Sequence, residues 1–348
     1  MKQLYTLYSI LCPAVLCLAA CTTIVVDEPP VDGLVSIGFS PQAETRAAVT
    51  GTELPNGSRF NVWGGYGGNN VFSGREVTKT ANGCTYQGTE YWMPGQTYNF
   101  YAVYPAGLKA DAVAVTDEGT VTVSGFDCSA TGDAAVDLMT ASATSVLADR
   151  VINSQSAVGL KFRHLLSLLT FTFENKLASH SIDVTNLRLT IAVKADYLST
   201  SSPSWMNHAS DRKEFAFYPA EAPLGVANSV SATSAPLLVI PQENAGIIVT
   251  FTVNIREAYA DGGSLVFSKR YAVPLATGEQ TVADRNGGSV VVEDQWYTGC
   301  RYNYKAVIPE NVMDGQDITL TVSIKDWDIE DTSVSWDDDD EGNAVNNP

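Results

Sequence analysis

The chain has 348 residues, with 21 Lys plus Arg against 39 Asp plus Glu and a formal charge of −18. That balance argues against nucleic acid, which rewards clustered positive charge, and against electrostatic docking on an anionic membrane. Charged residues are only 17% and apolar ones 45%, so this is not an acidic disordered polymer; abundant Val, Thr, Ser and Gly disfavour helical bundles.

Residues 1–20 read as an export signal. Lys2 is its single positive charge, an apolar run follows from Leu4, and it ends Leu18-Ala19-Ala20-Cys21. A Cys directly after Leu-Ala-Ala matches the bacterial lipobox. Lipoproteins with that motif are cut before the Cys and acylated on it, so Cys21 is the expected lipidation site, with outer-membrane lipid its partner. Each buried CH₂ contributes about 0.8 kcal/mol, so several acyl chains hold firmly to a bilayer. The plainer reading is a non-acylated signal with a leftover Cys. No later stretch carries 18 consecutive apolar residues, so no spanning helix is expected.

Residues 21–33 contain Pro29-Pro30 and acidic side chains and read as a flexible tether. Strand rhythm then begins. Val35, Ile37 and Phe39 alternate with Ser36 and Gly38, as a half-buried strand requires. Phe60 with Val62, Tyr98 to Tyr104, and Val121 with Val123 continue it, separated by turn signals such as Pro55-Asn56-Gly57 and Met93-Pro94-Gly95. The segment from Ala130 to Ser156, rich in Ala, Ser and Thr, reads as a loop or short helix between domains. Beyond it, alternation returns at Leu169 to Phe173, Ile247 to Ile255, Tyr302 to Ile308 and Ile318 to Ile324.

Without strand–helix–strand alternation, the fold class is all-β, with two β-sandwich-like domains at 34–156 and 157–336. A disordered acidic tail at 337–348 follows, carrying the run Asp337 to Glu341. Two strands change phase: Ile182 and Val184 are even while Leu187, Leu189 and Ile191 are odd, and Ile318 to Ile324 are even while Trp327 is odd. Each switch predicts a bulge or a turn, because a one-residue slip exchanges the faces.

Chemistry is sparse. There is no G-x-S-x-G, H-E-x-x-H, P-loop or dinucleotide fingerprint, so no enzyme activity, cofactor or metal is expected. Of three His, His164 sits among apolar residues and reads as a hydrogen-bonded core or edge histidine. Cys84, Cys128 and Cys300 lack zinc spacing; Cys84 and Cys128 are readable either as a disulfide or as buried thiols. The acidic segments Asp326 to Asp331 and Asp337 to Glu341 offer oxygen ligands but no EF-hand spacing, and read as solvated. Trp63-Gly64-Gly65-Tyr66, Tyr91-Trp92 and Trp205 lie beside turns, where rings either bind sugars and proteins or plug sandwich ends.

Several motifs fall in a characteristic order: the lipobox, Glu44-Thr45-Arg46-Ala47, Tyr98-Asn99-Phe100-Tyr101-Ala102-Val103-Tyr104-Pro105, Asp137-Leu138-Met139-Thr140-Ala141, and Phe162-Arg163-His164-Leu165-Leu166. Leu237-Leu238-Val239-Ile240-Pro241-Gln242 and Tyr302-Asn303-Tyr304 complete the set. Together they resemble the fimbrillin family of Bacteroides-type fimbrial lipoprotein precursors. The resemblance implies tandem transthyretin-like sandwiches, outer-membrane and then fimbrial localisation, and other fimbrial subunits as partners. It further implies an arginine-specific protease that cuts after Arg46 and frees the strand bearing Val35, Ile37 and Phe39. Arg59 is a second arginine in reach. The vacated groove then takes a strand from another subunit, for which Ile318, Leu320, Val322 and Ile324 are the candidate donor. The competing expectation is a monomeric, surface-tethered lipoprotein that binds a glycan or host protein.

Overall fold

The computed structural model describes residues 34–43, 54–200, 203–257, 263–284 and 288–327. The signal, the tether with Cys21, the segment carrying Arg46 and the acidic tail lie outside the described residues.

The chain opens with β1 (Phe39–Ala43), β2 (Arg59–Tyr66), β3 (Asn69–Thr80), β4 (Gly83–Tyr86) and β5 (Thr97–Tyr104). Then come β6 (Ala112–Val115), β7 (Val121–Asp127), β8 (Met139–Leu147), helix α1 (Ala148–Ser154) and β9 (Val158–His164). The middle carries β10 (Ser167–Asn175), β11 (His180–Ala192), β12 (Lys194–Leu198), β13 (Ser204–Met206), β14 (Arg212–Phe217), β15 (Leu224–Val226), β16 (Ser231–Thr233) and β17 (Leu237–Val239). Last are β18 (Ile248–Glu257), β19 (Leu265–Pro274), the hairpin β20 (Glu279–Asp284) with β21 (Gly288–Glu293), β22 (Cys300–Ile308) and β23 (Leu320–Asp326). The protein is all-β and sandwich-like, as its alternation predicts.

Seven strands form one sheet in the order β1-β9-β8-β5-β2-β3-β4. Its inner face buries Phe60, Val62, Phe72, Tyr98, Phe100, Leu160 and Phe162. On its outer face Val103 and Trp63 pack toward the four-stranded sheet β13-β12-β7-β6, with Val123, Phe126 and Tyr197. A second sandwich sets β14-β11-β18-β19 against β16-β10-β22-β23. Between them lie Leu169, Phe171, Phe173, Val184, Leu189, Val249, Phe251, Tyr302 and Tyr304. The sequence seam at 156/157 falls between α1 and β9; β9 itself pairs with β8 and β1, and β12 pairs back onto β7.

Both phase switches have structural counterparts. The register of β11 on β18 shifts between Thr185 and Arg188, where Asn186 adopts φ 52°, and Ile182, Val184, Leu187 and Leu189 all stay buried. At the C-terminal switch β23 ends at Asp326, and Trp327 turns into the cluster containing Leu165 and Ile240. One expectation is corrected in part: the 130–156 segment does carry a short helix, α1, but β8 in the same segment lies inside the seven-stranded sheet between β5 and β9. After the buried Met139 its inward side chains are small, as at Ala141 and Ala143, so the strand lacks a sustained bulky alternation.

Candidate functional site: a slot closed by the N-terminal strand

Residues 35–43 fill a slot along one edge of the seven-stranded sheet. On one side Ser36 forms an antiparallel bridge with Tyr91; Ile37 N–H donates to Glu90 C=O at 2.7 Å and Trp92 N–H donates to Val35 C=O at 2.9 Å. On the other side β1 runs parallel to β9, from Phe39 opposite Val158 to Ala43 opposite Phe162. Val158 N–H donates to Gly38 C=O at 2.8 Å, ahead of that register. The Tyr86 hydroxyl donates to Ile37 C=O at 2.7 Å and accepts from Glu90 N–H at 3.3 Å. Burial, the largest influence, pushes that hydroxyl's pKa above the usual tyrosine value.

The alternation predicted for this segment is present in its packing. Ile37 and Phe39 are 2% and 1% exposed, and Val35 is half-buried against the same cluster. Phe39 sits in an aromatic cage, with ring centroids 5.2 Å from Phe72, 5.4 Å from Phe100 and 6.3 Å from Tyr86, all edge-to-face. The Arg75 guanidinium lies over Phe72 and Tyr86 and pairs with Glu90 at 2.6 Å, bracing the wall from outside. Fully burying an Ile or Phe contributes about 1.5–3 kcal/mol, so two such side chains make β1 part of the core's closure.

Sequence reasoning missed that Tyr91-Trp92 forms the slot's wall. Trp92 is 1% exposed and stacks edge-on against Tyr98 at 4.7 Å, so it is no loop platform. Trp205 is likewise packed inward, its indole N–H donating to Leu165 C=O at 2.9 Å. Trp63 and Tyr66 are half-buried and line a small cleft of about 120 Å³ with Asn70 and Asn99.

The candidate donor residues lie on the second sandwich. Leu320, Val322 and Ile324 are half-buried on β23, which pairs antiparallel with β22 from Cys300–Asp326 to Ala306–Leu320 and forms the sheet's edge. Ile318, 4% exposed, precedes the strand. Just past it, Trp327 is fully buried and its ring stacks on His164 at 3.9 Å and 2°, while His164 Nδ1 lies 2.7 Å from Asp137 Oδ2. The sequence flags Asp137, His164 and Trp327 singly; only the tertiary fold unites them. Cys128 is a buried thiol that forms no disulfide with Cys84, and burial pushes its pKa up to about 12. Among the described residues no group of three metal-ligating side chains occurs.

The site is therefore a surface for main-chain and apolar contact, not a set of reacting groups, in a sandwich protein closed by its own N-terminal strand. The chain matches the fimbrillin-like family model over residues 45–327 and belongs to that family. It is a structural, adhesive family of fimbriae, not an enzyme family; membership supports a fimbrial subunit role and a place at the cell surface. Among solved structures, a fimbrial protein from Bacteroides vulgatus aligns with TM-score 0.55 at 15% identity, covering 84% of this chain and 99% of its own. A putative cell adhesion protein from Bacteroides uniformis gives 0.49 at 18%, covering 86% and 100%. The C-terminally truncated tip fimbrial protein Mfa3 from Porphyromonas gingivalis gives 0.40 at 12%, covering 84% and 100%. No curated protein sequence matches the chain.

Proposed function

We propose that the chain is a fimbrial subunit exported as a lipoprotein on Cys21 and assembled by protease-triggered strand exchange. The anchor holds the precursor in the outer membrane. Cleavage after Arg46 severs β1 from the body, β1 leaves, and the slot accepts a strand from another subunit. The observation that carries this reading is the position of β1: Phe39 on it and Ile37 just before it are 1% and 2% exposed, yet the strand occupies a sheet edge. Its loss leaves the other six strands contiguous. An incoming strand can reproduce both the main-chain hydrogen bonds and the pockets of Ile37 and Phe39.

Arg59 is the poorer target. It begins β2, is register-paired with Thr78, and its C=O accepts from Ala106 N–H at 2.7 Å; the next residue, Phe60, is fully buried. Ile318, Leu320, Val322 and Ile324 suit a donor because β23 pairs on one side only, so it too can leave without opening the middle of a sheet.

The test is limited trypsin digestion of the soluble chain 22–348, with mass spectrometry and sizing. Cleavage after Arg46 followed by ladder-like oligomers, abolished by Arg46→Ala, is the expected result. A chain that stays monomeric after that cut overturns strand exchange and favours the tethered lipoprotein that binds a glycan or host protein.

A further inference from the structure

The outer face of the seven-stranded sheet carries a cleft that strand exchange does not use, the space of about 120 Å³ beside Trp63. In register, Trp63 on β2 stands opposite Tyr101 on β5 and Ser73 on β3, and Gly65 stands opposite Asn99 and Asn70. Phe100 and Ala102 are buried on the inner face, so Asn99 and Tyr101 belong to the outer one. Gly65 puts no side chain between the two amides. The wall is the turn that joins β6 to β7, with Thr116 and Asp117. Asn70 Nδ2 donates to Asp117 Oδ1 at 3.3 Å and ties wall to floor.

Two glycines set the rings. Gly74 is passed over where the register of β2 on β3 shifts, and a Cβ there would meet the Trp63 ring at 3.1 Å. At Gly119 a Cβ would stand 2.0 Å from the Tyr101 ring. Both rings are half-buried and are held at the cleft before any ligand arrives, which lowers the ordering cost of binding. Asn99 Oδ1 accepts from Ser145 N–H at 2.9 Å, which turns its amide N–H groups to other use. Among the described residues, those N–H groups, the Trp63 indole N–H and Asp117 Oδ2 have no hydrogen-bond partner. Asp117 is the one carboxylate lining the cleft, and no Lys, Arg or His joins it among the described residues.

We propose that this cleft binds one neutral pyranose residue of a glycan. A sugar ring offers an apolar C–H face to Trp63 and Tyr101, and hydroxyls that donate to Asp117 and accept from Asn99 and the indole. An anion meets Asp117 and a chain of net charge −18, and a wholly apolar ligand leaves the cleft's polar groups unpaired. A seated ring displaces roughly four waters' share of volume, so one residue fits with its far edge in solvent. The site does not depend on strand exchange. β1 closes the inner face at the β9 edge, whereas the cleft lies on the outer face of β5, β2 and β3, so it is the same before and after the cut. One ring binds with a Kd on the order of millimolar. Repetition of the subunit along a fimbria raises the avidity by about 10²–10⁴.

The test presents the soluble chain 22–348 to an array of neutral and acidic oligosaccharides of mammalian and bacterial types. Saturation-transfer NMR then uses the methyl glycosides of glucose, galactose, mannose, fucose and N-acetylglucosamine, at concentrations above that Kd. The expected result is binding of a neutral glycan that high salt does not weaken, and the type of oligosaccharide bound tells a host source from a bacterial one. Trp63→Leu and Asp117→Ala each weaken it by about tenfold, while Trp63→Phe, which keeps a ring, retains most of it. Asp117 lies on an exposed turn, so its variant reads the site even where the Trp63 variant fails to fold. No neutral sugar bound in either format, binding of acidic glycans alone, or binding unchanged in both the Leu and the Ala variant overturns the proposal. A deglycosylated protein that binds the chain and is lost with Asp117→Ala makes the cleft a protein contact and also overturns it. Ladder formation is read in parallel: a chain that binds sugar and forms no ladder keeps this site and loses strand exchange, and a chain that forms ladders and binds no sugar does the reverse.

Discussion

Phe39→Ala asks whether β1 closes the core or merely lines its edge. Phe39 is 1% exposed, and its ring meets Phe72 and Phe100 edge-on at 5.2 and 5.4 Å. Truncating a buried Phe to Ala costs about 3–5 kcal/mol, a range that already contains its ring contacts. In the intact chain that loss appears as a lowered urea midpoint. In the chain cut after Arg46 the freed segment is held by non-covalent contact alone. There the same loss weakens retention by roughly a hundredfold to several thousandfold, at about 1.4 kcal/mol per factor of ten. Sizing the cut protein and counting co-eluting N-terminal peptide reads this directly, and ladders should begin sooner in the variant. Ser40→Ala, a half-buried position on the same strand, serves as control and should change stability by no more than about 0.5 kcal/mol. A loss below about 1 kcal/mol for Phe39→Ala, with unaltered retention of the peptide, would refute the role given to this strand.

Three further outcomes are expected. Trp327→Ala removes a fully buried ring stacked on His164 and should cost about 3–5 kcal/mol in denaturant unfolding; a His164→Ala, Trp327→Ala cycle that shows simple additivity would contradict the contact. Gly119→Ala should lower the melting temperature. At φ +88° the substitution costs about 1–2 kcal/mol in the backbone, and its Cβ would stand 2.0 Å from the Tyr101 ring, so an unchanged melting curve would be inconsistent with this turn. Cys128 should react with a thiol reagent only on unfolding. Its folded pKa lies above the unfolded value, so the thiol's contribution to stability is complete below about 9 and is lost as pH rises toward about 12; rapid labelling of the native chain at mildly alkaline pH would disprove its burial.

The strands of the second sandwich were legible because bulky residues alternate there without interruption, as in Val249-Thr250-Phe251-Thr252-Val253 on β18. The bulge in β11 was legible for the same reason, since periodicity records a slip as a change of parity. β8 was not, because Ala, Ser and Thr satisfy a strand, a loop or a weak helix equally well. The slot was half legible: the inward face of residues 35–39 follows from alternation, but its walls do not. Trp92 and Tyr86 belong to a turn region and a short strand whose burial depends on what packs over them. Nothing in local pattern says that β9 is the parallel partner of β1, or that Trp327 reaches His164.

The pairing of β1 with β9 joins parts of the chain that lie far apart in sequence, and it is maintained at first by a covalent leash. While that leash is whole, the slot meets its occupant at an effective concentration on the order of millimolar. In the proposed assembly, one cut peptide bond exchanges that internal supply for whatever is dissolved or tethered nearby. The contacts in the slot need not change at all for the outcome to change. A subunit alone keeps its own segment by rebinding slowly, whereas a subunit among many copies loses it to the neighbour whose end is most abundant. Crowding at the surface would then decide when the precursor becomes part of a polymer.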